Sequence, residues 1–260
     1  MVANTSAASM FPRYFPLVVL IGHTLTHGVH AGIDIYLSPP DIETAGGSGI
    51  TGVSTETFSS RPVGAFSNFT SATINGTYSL TAGTASVQAN NIYGGFEQGN
   101  QLAVNPQTGR ISLTLDAPVR YFGFYFTAGD AANNIDLYDG PTLLLSFSTG
   151  SLISLLPNNP TSTITAINQT VYNTQNYYGQ PSTGSNNGEA YAYLHFIANA
   201  ATVFNRVELS QITTGTAIFE NDNHSVRTTA PAVPGTLVVV PEPALLAFFG
   251  LGLLSLRRRR

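Results

Sequence analysis

Cysteine, lysine and tryptophan are absent from this 260-residue chain, and only 9% of its residues are charged. Without thiols there can be no disulfide framework, no thiolate zinc site, no iron–sulfur cluster and no cysteine nucleophile. Positive charge is equally scarce. All ten basic residues are arginines, and four of them are Arg257 to Arg260. Residues 32–240 hold five arginines against thirteen acids, a net charge of −8, which excludes nucleic acid as a partner. Of five histidines, His23, His27 and His30 fall in the first 31 residues, leaving only His195 and His224, too few for a three-histidine metal site. The helix formers Glu, Lys, Arg and Gln are rare while Asn, Thr, Ser, Gly and Tyr abound, which favours strands and turns and points to an extracellular β-protein. The length suits one sandwich-sized domain.

Both ends read as addresses. Arg13, the apolar run Phe15 to Gly22 and the exit Val29-His30-Ala31 have the three parts of a signal peptide, predicting residues 1–31 as an export leader cleaved after Ala31. At the other end, Val240-Pro241-Glu242-Pro243 precedes thirteen uncharged residues, Ala244 to Leu256, and then Arg257-Arg258-Arg259-Arg260. Thirteen helical residues reach roughly 20 Å, short of the ~30 Å hydrocarbon core, so this is a marginal membrane span, with the arginines holding its end in the cytoplasm and the body outside. Pro-Glu-Pro, apolar helix and Arg cluster in that order resemble the PEP-CTERM sorting signal of exosortase-processed proteins of Gram-negative bacteria. The resemblance implies secretion machinery and an exosortase-type processing enzyme as partners. It also implies a temporary inner-membrane anchor cut near Pro-Glu-Pro, and a product at the cell surface or in an extracellular polymer matrix.

Between these ends the apolar runs are short and separated by turn chemistry. Ile111, Leu113 and Leu115 alternate with Ser112, Thr114 and Asp116, a half-buried strand; Tyr121-Phe-Gly-Phe-Tyr-Phe is apolar on both faces, a central strand. Asp139-Gly140 joins two such runs as a hairpin turn would. The pattern predicts an all-β fold, a single jelly-roll-like β-sandwich over residues 32–220, with long loops at 39–64 and 170–189. Residues 221–240 read as a polar linker and 241–260 as the sorting and anchor segment. Asn91-Ile-Tyr-Gly-Gly-Phe, Tyr121 to Asp130, Tyr177-Tyr-Gly, Ala190-Tyr-Ala-Tyr-Leu-His-Phe and Phe219 to His224 are similar to a family of exosortase-dependent surface proteins of cyanobacteria and proteobacteria. That resemblance implies a β-rich extracellular domain and transfers no catalytic residue.

Two constellations are candidates for chemistry. Tyr191, Tyr193 and His195 share one face of a strand, and Tyr177 and Tyr178 lie in the neighbouring loop. They are either amphipathic side chains packed beneath a loop or a platform for stacking extracellular polysaccharide. Asp130, Asn133, Asn134, Asp136 and Asp139 crowd ten residues, and Glu220 and Asp222 follow another run. Such oxygen-rich sets either cap turns or hold Ca²⁺, for which Asp130, Asn134, Asp136 and Asp222 are the named ligands. No G-x-S-x-G elbow is present. The expectation is a non-catalytic surface or matrix protein, structural or glycan-binding. The alternative is a secreted glycosidase-like enzyme using a carboxylate pair among the thirteen acids.

Overall fold

A computed structural model describes residues 32–89, 99–106, 109–179, 188–212 and 217–241. The expected leader, 1–31, and the anchor segment beyond Pro241 lie outside the described residues. The chain opens with β1 (Ile33–Leu37), β2 (Ser54–Glu56), β3 (Gly64–Ala65), β4 (Phe69–Ser71), β5 (Gly76–Ala82) and β6 (Ala85–Gln88). It continues through β7 (Gln101–Val104), β8 (Arg110–Val119), β9 (Tyr121–Gly129), β10 (Asn133–Asp139) and β11 (Thr142–Ser148). Helix α1 (Thr149–Leu155), β12 (Thr163–Thr165), β13 (Val171–Asn173) and a 3₁₀ turn (Thr174–Tyr177) lead to β14 (Ala190–Ala198), β15 (Phe204–Gln211), β16 (Phe219–Arg227) and β17 (Val238–Val239). The all-β expectation is met: α1 and the 3₁₀ turn are the only helical segments among the described residues.

Two antiparallel sheets dominate. The larger runs β17-β1-β14-β9-β16-β7-β6-β3, with β2 also on β16; the smaller runs β11-β10-β15-β8-β5-β4. Their facing apolar side chains form one continuous core, in which Phe122, Phe124, Phe126 and Phe196 of the larger sheet meet Leu113, Ile135, Phe147 and Leu209 of the smaller. Alternation largely decides the half-buried strand: Ile111, Leu113 and Leu115 are buried while Thr114 and Asp116 face solvent, but Ser112, expected outward, is buried as well. β9 and β14 are buried on both faces along their whole length, as the doubly apolar sequence of β9 requires. Asp139-Gly140 makes the β10–β11 hairpin, with Gly140 at φ +53, where a Cβ would be strained.

Three expectations are corrected. Residues 221–240 are not a linker: β16 continues through Arg227 as a central strand, and Leu237, Val238 and Val240 are buried. Polar residues in β16 read as loop chemistry, yet a covering segment from elsewhere in the chain buries them. The stretch 39–64 is loop except for β2 and the first residue of β3, and 170–179 holds β13 and the 3₁₀ turn.

Candidate functional site

The outer face of the larger sheet carries the expected tyrosine row, and it is covered. In β9 and β14, Phe122, Phe124, Leu194 and Phe196 point into the core, so period two turns Tyr121, Tyr125, Tyr191, Tyr193 and His195 outward. The β1–β2 loop and the segment leading into β17 fold over them: Ala45 and Ile50 of the loop, with Leu237, pack with Tyr121, Tyr125, Tyr191 and Tyr193 in a second apolar cluster. Tyr193 and His195 are fully buried and Tyr191 is 3% exposed, so packing beneath a loop, not an open sugar platform, describes this face. Tyr177 is buried too and donates to the Ser38 carbonyl at 2.8 Å, while half-buried Tyr178 donates to the Leu156 carbonyl.

A chain of hydrogen bonds runs beneath the loop. Ser38, just past β1, donates its backbone N–H to the Tyr193 carbonyl at 3.0 Å and sets its Oγ 2.8 Å from His195 Nε2 and 2.5 Å from Ser48 Oγ. His195 Nδ1 lies 2.9 Å from the Tyr121 hydroxyl. The Tyr193 hydroxyl lies 2.8 Å from Ser225 Oγ, which is 2.7 Å from Thr55 Oγ1 at the start of β2. Burial pushes the His195 pKa down to about 3, so the ring is neutral and offers one donor and one acceptor to its two hydroxyl neighbours. Burial likewise raises the Tyr121, Tyr125 and Tyr193 phenols. Ser38 and His195 have the distance of a nucleophile and its base, but the third member is a tyrosine and both side chains are fully buried. The arrangement stitches loop to sheet.

Acids border this face. Glu220 and Asp222, two apart on β16, lie opposite Thr127 and Tyr125 of β9 and are 2% and 1% exposed. Burial, only partly offset by a backbone N–H and reinforced by Glu189 and Asp130, pushes the Glu220 pKa up to about 9. Asp222 is raised by burial as well, although it accepts from the Asn223 N–H at 2.7 Å. Glu189 is raised by burial and by Asp130. Strongly raised buried carboxylates are the one feature here that also marks active sites.

The four expected Ca²⁺ ligands do not converge. Asp130 sits in the β9–β10 turn and accepts from the Ala132 N–H at 2.6 Å. Asn134 and Asp136 lie in the smaller sheet and bond each other at 2.7 Å, whereas Asp222 belongs to the larger sheet. Among the described residues no group of three or more His, Asp or Glu is arranged to hold a metal ion. The second histidine, His224, is a core residue. Its Nδ1 lies 3.0 Å from the Tyr78 hydroxyl, its Nε2 2.7 Å from Asn221 Oδ1, and Phe58, Phe122 and Phe124 meet it edge-on. Sequence reasoning missed Ser38, Ser48, Tyr121 and Tyr125. The signal for the two tyrosines was the alternation inside β9 itself, whereas nothing local distinguishes Ser38 from its neighbours.

The covered face leaves the tail as the feature with a known counterpart. Residues 239–260 match the PEP-CTERM protein-sorting motif. The chain carries a PEP-CTERM sorting signal. The match begins at Val239, inside β17, so the sorting signal starts within the folded sheet. It implies processing by an exosortase, export, and sorting to the cell surface of a Gram-negative bacterium. No curated protein matches the chain. No helix among the described residues is long and apolar enough to cross a membrane; the apolar segment 244–256 lies outside them.

Proposed function

We propose that the chain is a non-catalytic structural protein of the cell surface or extracellular matrix, exported by its leader, held in the inner membrane by residues 244–256, then released by cleavage near Pro241-Glu242-Pro243. The strand order supports a jelly-roll sandwich: β7, β16, β9 and β14 are neighbours in one sheet and β8, β15, β10 and β11 in the other, and between β7 and β16 the chain changes sheet everywhere except at the β10–β11 hairpin and the β12–β13 excursion. The observation that carries the structural role is the covered tyrosine face. The side chains best suited to stack a sugar are engaged in internal hydrogen bonds under the β1–β2 loop. Intact-mass measurement of surface-extracted protein tests the processing: a mature species ending near Pro241 is expected, and one still ending at Arg260 in cells with an active exosortase defeats the cleavage.

A secreted carbohydrate-active enzyme is the second reading, favoured by the raised Glu220 beside Asp222 on one face of β16. Glycan binding and glycan turnover by residues 32–240, with Ca²⁺ and without it, separate the two. Neither is expected. Turnover that Glu220→Gln abolishes without unfolding the protein would establish the enzyme instead.

A further inference from the structure

Charge is distributed unevenly over this acidic molecule. From Gly140 to Gly188, and again from Thr228 to Pro241, the chain contains no Asp, Glu, Lys, Arg or His. The fold brings these two stretches together. The Ile167 N–H donates to the Leu237 carbonyl at 3.0 Å, the Asn168 N–H to the Gly235 carbonyl at 2.8 Å, and the Tyr172 hydroxyl to the Thr236 carbonyl at 3.1 Å. Both sheets also end on this side. β17 is the last strand of the larger sheet and β11 of the smaller, and Phe147 of β11 meets Phe196 of β14 at 5.8 Å, which places the β11 edge over the β14–β1–β17 end. Most of the exposed large apolar side chains are here: Leu143, Ile167, Val171, Val233 and Val239, from 37% to 59% exposed. Asp34, beside the Tyr36 phenol that burial and then this carboxylate raise, and Asp41 mark the margin.

The chain leaves the fold in the middle of this side. Val240 is buried and donates to the Ile35 carbonyl at 2.9 Å, whereas Pro241 is exposed and borders a shallow groove with Gly150, Ser151, Ser154 and Leu155 of α1. Four peptide steps, at most about 14 Å, separate Val240 from Ala244, where the thirteen-residue apolar segment begins. That segment falls roughly 10 Å short of the hydrocarbon thickness, so its flanks are drawn toward the interface.

We propose that this uncharged side, centred on Val171 and Val239, rests on the lipid bilayer while the protein is tethered. The proposal builds on the tether of the preceding section and adds the orientation of the domain. Charged groups resist transfer from water to the interface, and the two stretches that meet on this side carry none; exposed Val and Ile gain by the same transfer. The short spacer leaves the domain little freedom to turn another side to the membrane. Exosortase then meets its substrate with the sheet edge flat on the lipid and Pro241 within the side that faces it.

The absence of cysteine makes the test direct. Val171→Cys, Val239→Cys, Thr70→Cys on the opposite edge strand β4, and Ala247→Cys in the tail are each labelled in the full chain with an environment-sensitive dye. The labelled chains are then reconstituted into vesicles of phosphatidylethanolamine and phosphatidylglycerol containing spin-labelled lipid. Quenching of about twofold or more is expected at 171, 239 and 247, and little at 70. Quenching at 247 alone would leave the tether standing and overturn the orientation, whether the side is free or reserved for a protein. Equal quenching at 70 and 171 would also overturn it, and no quenching at 247 would overturn the tether with it.

Discussion

At the scale of single residues, the molecule buries ionisable groups without countercharges, and pH is the variable that exposes the cost. His195 and His224 have folded pKa values near 3 against an ordinary 6.5, so below pH 6.5 the unfolded chain binds protons that the folded one refuses. Stability therefore falls as pH drops from 6.5, by on the order of 5 kcal/mol for the pair at pH 4.5. Glu220 works in the opposite sense. Its folded pKa near 9 against an ordinary 4.5 means that the folded state holds a proton the unfolded state releases, and stability falls as pH rises from 4.5 to 9. Asp222 adds to that fall. Between pH 4.5 and 6.5 the two trends oppose each other, so urea midpoints should be nearly level there and decline on both sides. Glu220→Gln should remove on the order of 3 kcal/mol of the decline between pH 6.5 and 9. An alkaline limb unchanged in that variant would show that Glu220 ionises freely in the folded state.

Among the elements, β9 and β16 carry the arrangement, and close backbone approach rather than side-chain chemistry makes it possible. A Cβ on Gly123 would lie 2.3 Å from the Tyr121 hydroxyl and 2.8 Å from Tyr193 Cε1. Glycine here lets two tyrosines on neighbouring strands close over the backbone and reach His195 and Ser225. Gly123→Ala should cost about 2–3 kcal/mol in chemical denaturation and raise the near-ultraviolet signal's sensitivity to temperature, because the displaced rings lose their hydrogen bonds. A variant as stable as the parent would mean that the tyrosines can shift freely. In β16 the ladder to β9 is interrupted between Asp222 and Ser225, where Asn223 adopts φ +52, and this irregularity lets His224 enter the core while Asn223 Nδ2 holds the Glu43 carbonyl of the covering loop at 2.9 Å. The sequence Glu-Asn-Asp-Asn-His suggests a turn, and part of that suggestion is right: the turn chemistry is used, but inside a strand.

For the whole molecule, first and last strands are joined. β1 pairs with β17, Tyr36 against Val239 and Leu37 against Val238, so the first described strand holds the strand in which the sorting motif begins. Residues 228–240 are consequently part of the domain. A chain ending at Arg227 loses the burial of Leu237, Val238 and Val240, worth about 1.5–3 kcal/mol each, and uncovers Tyr121 and Ile197. It should unfold at distinctly lower urea than residues 32–240, or fail to fold cooperatively. Equal midpoints would restore the linker. The Val240 N–H is held by the Ile35 carbonyl, and Pro241 is the first exposed residue beyond it.

Composition, period two and turn pairs by themselves determined the all-β class, the half-buried β8, the doubly buried β9 and the β10–β11 hairpin, because each depends on neighbours within a few residues; the tail's sorting motif was legible through its resemblance to a known signal. Tertiary structure alone decided which faces meet water. Alternation places Tyr191, Tyr193 and His195 on one side of β14 but is silent on whether a loop 140 residues or more earlier in the chain lies over them. It likewise marks Asp130, Asn134, Asp136 and Asp222 as oxygen donors without saying that two sheets hold them apart. Long-range packing also turned a polar stretch into the central strand β16, since burial depends on what covers a residue and not on the residue alone.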